Sequence, residues 1–307
     1  MPGCAFRRLV IRGVRAQKTC AYSRLIHLHT SGVRKMAKLQ TPPRVKKVMK
    51  HMRVPDLRAM KERGEKIAVW TAYDFTMARI LDRAGIDVIL VGDSLGMVVL
   101  GYDTTLPVTL DMMIHHTRAV SRGAKRALII ADMPFLTFQL SVEEAMRNAG
   151  RLIQQGGAAA VKIEGGRQIV ETAKRLVDIG IPVMGHLGLT PQSVHQLGGF
   201  RPQGRDSDAA DRLMQDAEIL EKSGVFAIVL ESIPADLAGR VTASLKIPTI
   251  GIGAGTQCDG QVLVSYDALG LSDAAPPFAK QYAQLGEQIL SAARAYIEDV
   301  RAGGPHR

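Results

Sequence analysis

No run of apolar residues in this chain approaches the roughly 18 that a membrane-crossing helix needs, so none of it reads as a membrane span. Cysteine is scarce: Cys4, Cys20 and Cys258 are the only three. They lack zinc-type spacing, and so give neither a disulfide framework nor a thiolate metal site, which suits a reducing compartment. Cys258 reads as a small packed side chain. Acid is missing from the whole of residues 1–55, where 14 of the 40 Lys and Arg residues lie, leaving 26 basic groups against 29 acidic ones in the rest. The formal charge of +11 therefore belongs to one end. A body near −3 argues against a nucleic-acid-binding surface, and equally against a basic scaffold protein.

What the basic end does contain is an amphipathic pattern. A helical projection puts Arg8, Arg12 and Arg15 on one side and Phe6, Val10 and Val14 on the other. An Arg-rich, acid-free, amphipathic N-terminus is the signature of mitochondrial targeting, with a solvated tail or a membrane-surface helix as the alternatives. Residues 1–40 are accordingly read as a presequence and 41–307 as one catalytic domain. Removing the leader leaves on the order of 265 residues, close to the roughly 250 typical of a (β/α)8 barrel.

From Lys66 onward, short β-branched or apolar runs alternate with stretches of helical period, the pattern of a parallel sheet with crossover helices. Eight runs stand out, at 66–74, 87–94, 127–134, 159–166, 182–191, 226–234, 248–255 and 261–269. "SVEEAMRNAGRLIQQG" opens with Ser141 and has Glu144 three residues on, a capping box. No glycine-rich turn follows "KIAVWTAYD", as a doubly wound dinucleotide fold would want. The expectation is an α/β fold, a (β/α)8 TIM barrel with a parallel eight-stranded core, ending in a helix over 278–302.

In such a barrel the C-terminal ends of the strands face the active site. Here those ends carry Asp93 and Ser94, Asp132, Lys162 and Glu164, His186 and Glu231. Any one acid at a strand end reads first as a helix cap. Three at the ends of neighbouring strands repel one another unless a cation intervenes, and an all-oxygen set suits Mg²⁺ or Mn²⁺ rather than zinc or copper. Lys162 and Glu164 are two apart and share a face, while Val161 and Ile163 turn to the helices. A carboxylate beside Lys162 favours its ammonium form, a fixed positive charge for an anion over a Schiff-base amine. His186 is open between substrate contact, an outer-sphere role and a structural one. His115 and His116 fall in a helical stretch and His195 in a loop, with no role assigned. "GIGAG" at 251–255 reads at minimum as a tight turn. Glu231 ends an apolar run with no basic neighbour in sequence, which suits a proton-transfer group.

The stretches "TAYDFTMARILDRAGIDVILVGDSLGMVVLGYDTTLPVT", "ADMPF", "VKIEGG", "GHLGLTPQSV", "GGFRPQGR", "VLESIP" and "IGIGAGTQCDGQVLVSYDALGL" resemble the ketopantoate hydroxymethyltransferase family from about Val54 to Phe278. The resemblance implies a barrel enzyme that uses Mg²⁺ and 5,10-methylenetetrahydrofolate to add a hydroxymethyl group to 3-methyl-2-oxobutanoate through a Mg²⁺-stabilised enolate. It implies metal ligation by Asp93, Asp132 and Glu164. Substrate contact would fall to Asp93, Ser94, Asp132, Lys162 and His186, and catalysis to Glu231 as base or as acid toward folate nitrogen. A homo-oligomer, commonly a decamer, is also implied. The departures are the basic N-terminal extension and "DAAPPFAKQY". A neighbouring barrel type, the phosphoenolpyruvate mutase and isocitrate lyase superfamily, shares oxo-acid enolate chemistry, and folate dependence separates the two.

Overall fold

A computed structural model describes residues 51–273 and 275–304; the segment read as a targeting sequence, residues 1–40, lies outside the described residues. Eight strands form the centre: β1 (Ile67–Thr71), β2 (Val88–Val91), β3 (Leu128–Asp132), β4 (Ala160–Glu164), β5 (Val183–Gly188), β6 (Ala227–Glu231), β7 (Thr249–Ile252) and β8 (Gly260–Leu263). They lie side by side in chain order and close into a barrel, with β1 parallel to β8. Closure rules out the open sheet. Each strand falls on its expected run, with β3, β4 and β6 ending on Asp132, Glu164 and Glu231 themselves and β8 beginning one residue ahead of its run. The eighth run leaves the sheet after Leu263 and turns into a single helical turn, Ser265–Ala268.

Around the barrel run α1 (Val54–Glu62), α2 (Phe75–Ala84), α3 (Leu110–Gly123), α4 (Val142–Arg151), α5 (Val170–Asp178), α6 (Ser207–Ser223), α7 (Ala235–Ser244) and α8 (Leu285–Arg301). Local chemistry sets their ends. Asp74 accepts from the Thr76 and Met77 amides at the start of α2, and Gly85 closes that helix with φ 93°. Ser141 accepts from the Glu144 amide at the start of α4, as the capping pattern predicts.

The expected eight strand–helix units are not all complete. Among the described residues a loop without a helix joins β7 to β8. The last helix begins at Leu285 rather than 278, because backbone bonds from Tyr282 to Ala268 and from Leu285 to Leu269 hold the preceding segment against the end of the 265–268 turn. No residue of α8 is buried. His195, expected in a loop, sits exposed in the single turn Val194–Leu197.

Strand periodicity divides the core in two. Val91, Ile129, Val161, Ile163, Ile228 and Leu230 face the helices. Ile67, Val69, Val88, Leu128, Ile130, Met184 and Val229 fill the barrel interior, which Leu57 and Met60 of α1 close from below. Reading up the interior face of each strand, apolar residues give way to ionisable ones: Leu128, Ile130, then Asp132; Ala160, Lys162, Glu164; Met184, then His186; Ala227, Val229, then Glu231. The lower levels supply burial. The top level supplies charge.

Candidate active site

Strand register brings the charged groups together. Asp132 pairs with Lys162 across β3 and β4, and Glu164 pairs with His186 across β4 and β5. Lys162 Nζ lies 3.2 Å from Asp132 Oδ1 and 3.8 Å from Glu164 Oε1. His186 Nδ1 lies 3.2 Å from Glu164 Oε1, and its Nε2 is 3.2 Å from Glu231 Oε2. Asp93, two residues beyond β2, donates its amide to Asp132 Oδ2 at 3.1 Å. The positions marked at the strand ends therefore converge on one rim. None of Asp93, Asp132, Glu164 and Glu231 acts as a helix cap, the role that Asp74 takes.

Ser94 sits beside them, its Oγ 2.9 Å from Tyr73 Oη. Gly92 makes room for this approach: a Cβ there would stand 2.6 Å from Ser94 Oγ and 3.5 Å from Asp132 Oδ2. Ser232, directly after Glu231, adopts φ 48°, a left-handed conformation that costs a non-glycine residue on the order of 1 kcal/mol and marks a constrained turn.

Asp93, Asp132, Lys162, Glu164 and His186 are all at least nine-tenths buried. Burial pushes the Asp93 carboxyl well above the usual range, and the neighbouring Asp132 and Glu164 charges add to that. Burial likewise raises Asp132, with Lys162 opposing. For Glu164 burial is outweighed by His186, Lys162 and the Gln192 amide, so its carboxyl is held low. Burial would strip the proton from Lys162, but Asp132, Glu164 and Asp93 together keep it an ammonium. In His186, burial and the Lys162 charge act downward, yet Glu164 and Glu231 lift the imidazole to about 9. His186 Nδ1 lies within hydrogen-bond distance of both Glu164 Oε1, at 3.2 Å, and Lys162 Nζ, at 3.3 Å. The reading of Glu231 as free of basic neighbours is corrected here, since strand pairing, invisible in a linear pattern, sets His186 against it.

Two buried atoms of the site stand out because their pairing is incomplete. Asp132 Oδ1 and His186 Nε2 have ion-pair neighbours but make no aligned hydrogen bond. Asp132 Oδ1 is thus held by the Lys162 charge, 3.2 Å away, without an aligned hydrogen bond.

Gln192, buried in the loop after β5, escaped the sequence reasoning. Its Nε2 donates to Asp93 Oδ2 at 2.8 Å and to Met133 O at 2.9 Å, and its amide donates to Glu164 Oε2 at 3.0 Å. It lay within "GHLGLTPQSV", but no local pattern distinguishes a loop glutamine that reaches a residue 99 positions away. His115 is exposed, and His116 Nδ1 lies 2.7 Å from Tyr73 O, a structural tie. Cys258 is fully buried among apolar side chains, as expected.

Above the cluster opens a cavity of about 1410 Å³, reaching from Thr71 and Tyr266 on one side to Phe200 and Glu231 on the other. Its floor is the set of charged strand ends.

The profile of the ketopantoate hydroxymethyltransferase family matches residues 51–305. A 3-methyl-2-oxobutanoate hydroxymethyltransferase of Syntrophus aciditrophicus is 59% identical over 248 residues, 80% of this chain and 91% of the relative. One of the same name from Moorella thermoacetica is 60% identical over 251 residues, 81% of this chain and 93% of the relative. Among solved structures, 2,3-dimethylmalate lyase, a PEP mutase/isocitrate lyase superfamily member, matches with TM-score 0.54 at 20% identity, covering 83% of this chain and 89% of that one. Phosphonopyruvate hydrolase in complex with oxalate and Mg²⁺ matches with TM-score 0.56 at 12% identity, covering 82% and 88%. At such identities these structures speak to the fold alone.

Proposed function

The chain belongs to the ketopantoate hydroxymethyltransferase family, and on that premise we propose that it transfers a hydroxymethyl group from 5,10-methylenetetrahydrofolate to 3-methyl-2-oxobutanoate with Mg²⁺ as cofactor, giving 2-dehydropantoate for pantothenate synthesis. The observation that carries this reading is one buried ammonium, Lys162, set among Asp93, Asp132 and Glu164 at the floor of the cavity.

The donor set fits a hard divalent cation. It is all oxygen, its three acids outnumber Lys162 and repel one another, and Asp132 Oδ1 lacks an aligned hydrogen bond. Among the described residues no three His, Cys, Asp or Glu side chains form a ready-made metal cage. Mg²⁺ does not require one, since it commonly takes one or two carboxylates and completes its shell with water and substrate oxygens. Asp93, Asp132 and Glu164 would hold it. Bound there, Mg²⁺ would supply positive charge to the carboxylate and oxo oxygens of the substrate.

The remaining work falls to the chain's own groups. Lys162, fixed as an ammonium, holds the anionic end of the oxo acid, and Ser94, steadied by Tyr73, offers a hydroxyl to it. Asp93, Asp132 and His186 complete the substrate's surroundings. Glu231, oriented by His186, removes the C3 proton, and the carbon so exposed attacks the folate-borne methylene as its bond to one folate nitrogen breaks and that nitrogen takes a proton. Water then displaces the second folate nitrogen, which takes a proton from that water and leaves the hydroxyl on the product.

Two measurements test this. Consumption of 3-methyl-2-oxobutanoate should require both methylenetetrahydrofolate and Mg²⁺, and product formed without folate would overturn the donor assignment. Glu231→Gln should abolish enzyme-catalysed exchange of the C3 hydrogen into D₂O without folate. If exchange survives while product formation stops, Glu231 acts on folate nitrogen instead.

Two further proposals concern the rest of the chain. Residues 1–40 act as a mitochondrial presequence, a reading supported by their acid-free basic composition. A fluorescent protein carrying them should reach mitochondria, and a cytosolic fusion would remove the proposal. The protein forms a homo-oligomer, a decamer by family resemblance, supported by the exposed Ile289, Tyr296 and Ile297 on α8. Sedimentation of a monomer at micromolar concentration would contradict it.

A further inference from the structure

The cavity is larger than the roughly 300–1,000 Å³ of most small-molecule sites. A five-carbon oxo acid at the Lys162 floor leaves most of its 1410 Å³ unfilled. The wall above β1 and β8 is built for something flat. Tyr73 and Tyr266 meet edge to face at 5.7 Å, and Tyr266, Leu271, Pro277 and Phe278 present apolar surface to the space. Set into that wall is Asp267, an acid that the mechanism above does not use. It is 8% exposed and lines the cavity. Among the described residues its carboxylate has no ion pair. Burial pushes its carboxyl above the usual range, with the Ser272 hydroxyl opposing. Burying a carboxylate without a counter-charge is costly, so a side chain of this kind at a cavity wall is suited to the N–H donors of a ligand.

The wall and the floor are continuous. Asp267, Ser94 and Asp132 line the same cavity, and Tyr73, packed edge to face on Tyr266, contacts the Ser94 hydroxyl. A ring held against Asp267 therefore borders the oxo-acid subsite.

We propose that Asp267 is the recognition point for the pterin ring of the folate donor, its carboxylate accepting hydrogen bonds from the ring's N3–H and 2-amino groups while the ring lies against the Tyr266 and Phe278 wall. Two adjacent N–H donors match the two oxygens of one carboxylate, as in other bidentate pairs, and hydrogen bonds from them would in turn favour its ionised form. The inference rests on the folate reading above, and it places the pterin on the β8 side of the cavity, away from Phe200 on the opposite side.

Tetrahydrofolate binding, measured by calorimetry on the full chain, separates the two claims. If the unaltered protein does not bind tetrahydrofolate, the folate reading itself fails. If it does, Asp267→Asn should weaken tetrahydrofolate about 10- to 100-fold, the loss expected for hydrogen bonds to a charged group. Its affinity for 3-methyl-2-oxobutanoate should stay within about twofold of the unaltered protein's. Tetrahydrofolate binding within twofold of the unaltered protein would overturn the assignment. A second comparison needs no substitution and holds even if the variant misfolds: tetrahydrofolate lacking the 2-amino group should bind the unaltered protein at least about tenfold more weakly. Equal affinity for the two ligands would likewise overturn it.

Discussion

Asp82 and Asp132 are both acids buried to about the same degree, 5% and 3% exposed, one at the bottom of the barrel and one at the top. Asp82, near the end of α2, accepts amide hydrogen bonds from Lys125 at 3.0 Å, Arg126 at 2.9 Å and Ala127 at 2.8 Å. Burial opposes its ionisation, but those three amides win and hold the carboxyl below its ordinary value. Asp259, also at the bottom, is filled in the same way by Lys61 Nζ and the Thr249 amide, both at 2.9 Å. Asp132 accepts one amide hydrogen bond, its other oxygen faces Lys162 at 3.2 Å without an aligned hydrogen bond, and burial leaves its carboxyl raised. Burial alone therefore does not decide the state of a carboxylate. Backbone donors aimed at it do, and the fold places them where it needs strength and withholds them where it binds ligand.

The largest break in this contrast comes from Asp132→Asn. Turnover should fall about 10²- to 10³-fold, the scale of losing a principal electrostatic group. Metal-free thermal unfolding should stay level with the unaltered protein or move upward, because a source of repulsion for Asp93 and Glu164 is gone. In the unaltered protein, Mg²⁺ at 100 times its dissociation constant should add about 2.7 kcal/mol of stability. That corresponds to a midpoint shift of about 4 °C for a chain of this size. Asp132→Asn should lose most of that shift, and a full Mg²⁺ shift in the variant would contradict the metal assignment.

Gln192→Ala sharpens the comparison by removing the donors that the top does possess. With Asp93 and Glu164 released from their shared tether, Mg²⁺ affinity should drop about 10- to 100-fold, the usual effect of losing a group that orients metal-holding residues. Saturating Mg²⁺ should then restore much of the turnover. Unchanged metal affinity in calorimetry would reduce Gln192 to a packing residue.

At the bottom the same kind of substitution should act on stability instead. Asp82→Asn sets an amide NH₂ against backbone N–H donors and should cost about 1–3 kcal/mol in denaturant unfolding, with turnover per folded molecule unchanged. The smallest effect concerns pH. Because the folded-state pKa of Asp82 lies below its unfolded value of about 3.9, its contribution is present above that pH and is lost as the pH falls through the folded value. Asp82→Asn should therefore flatten the acid limb of the stability profile below about pH 4. An unchanged limb would mean other acids carry it.

Much of this molecule could be read along the chain. The eight apolar runs located all eight strands, since side-chain alternation is a property of extended backbone that needs no partner. The same alternation placed Lys162 and Glu164 on one face and Val161 and Ile163 on the other, as the core confirms. Where the reading went astray, distant contacts were responsible. The start of the last helix is delayed by bonds to the 265–268 turn, and the seventh connection lacks a helix that repetition had suggested.

By itself the sequence determined which side chains point inward at the top of each strand, because period two and the polarity of the strand ends are written into neighbouring residues. Only the tertiary structure decided what those side chains meet. Lys162 reaches Asp132 because β3 and β4 pair in one register. His186 stands between Glu164 and Glu231 because β5 lies between their two strands. Gln192 spans Asp93 and Glu164 because barrel closure folds a loop over residues far away in the chain. Register and closure arise from packing many strands at once, and no local window of residues contains that information.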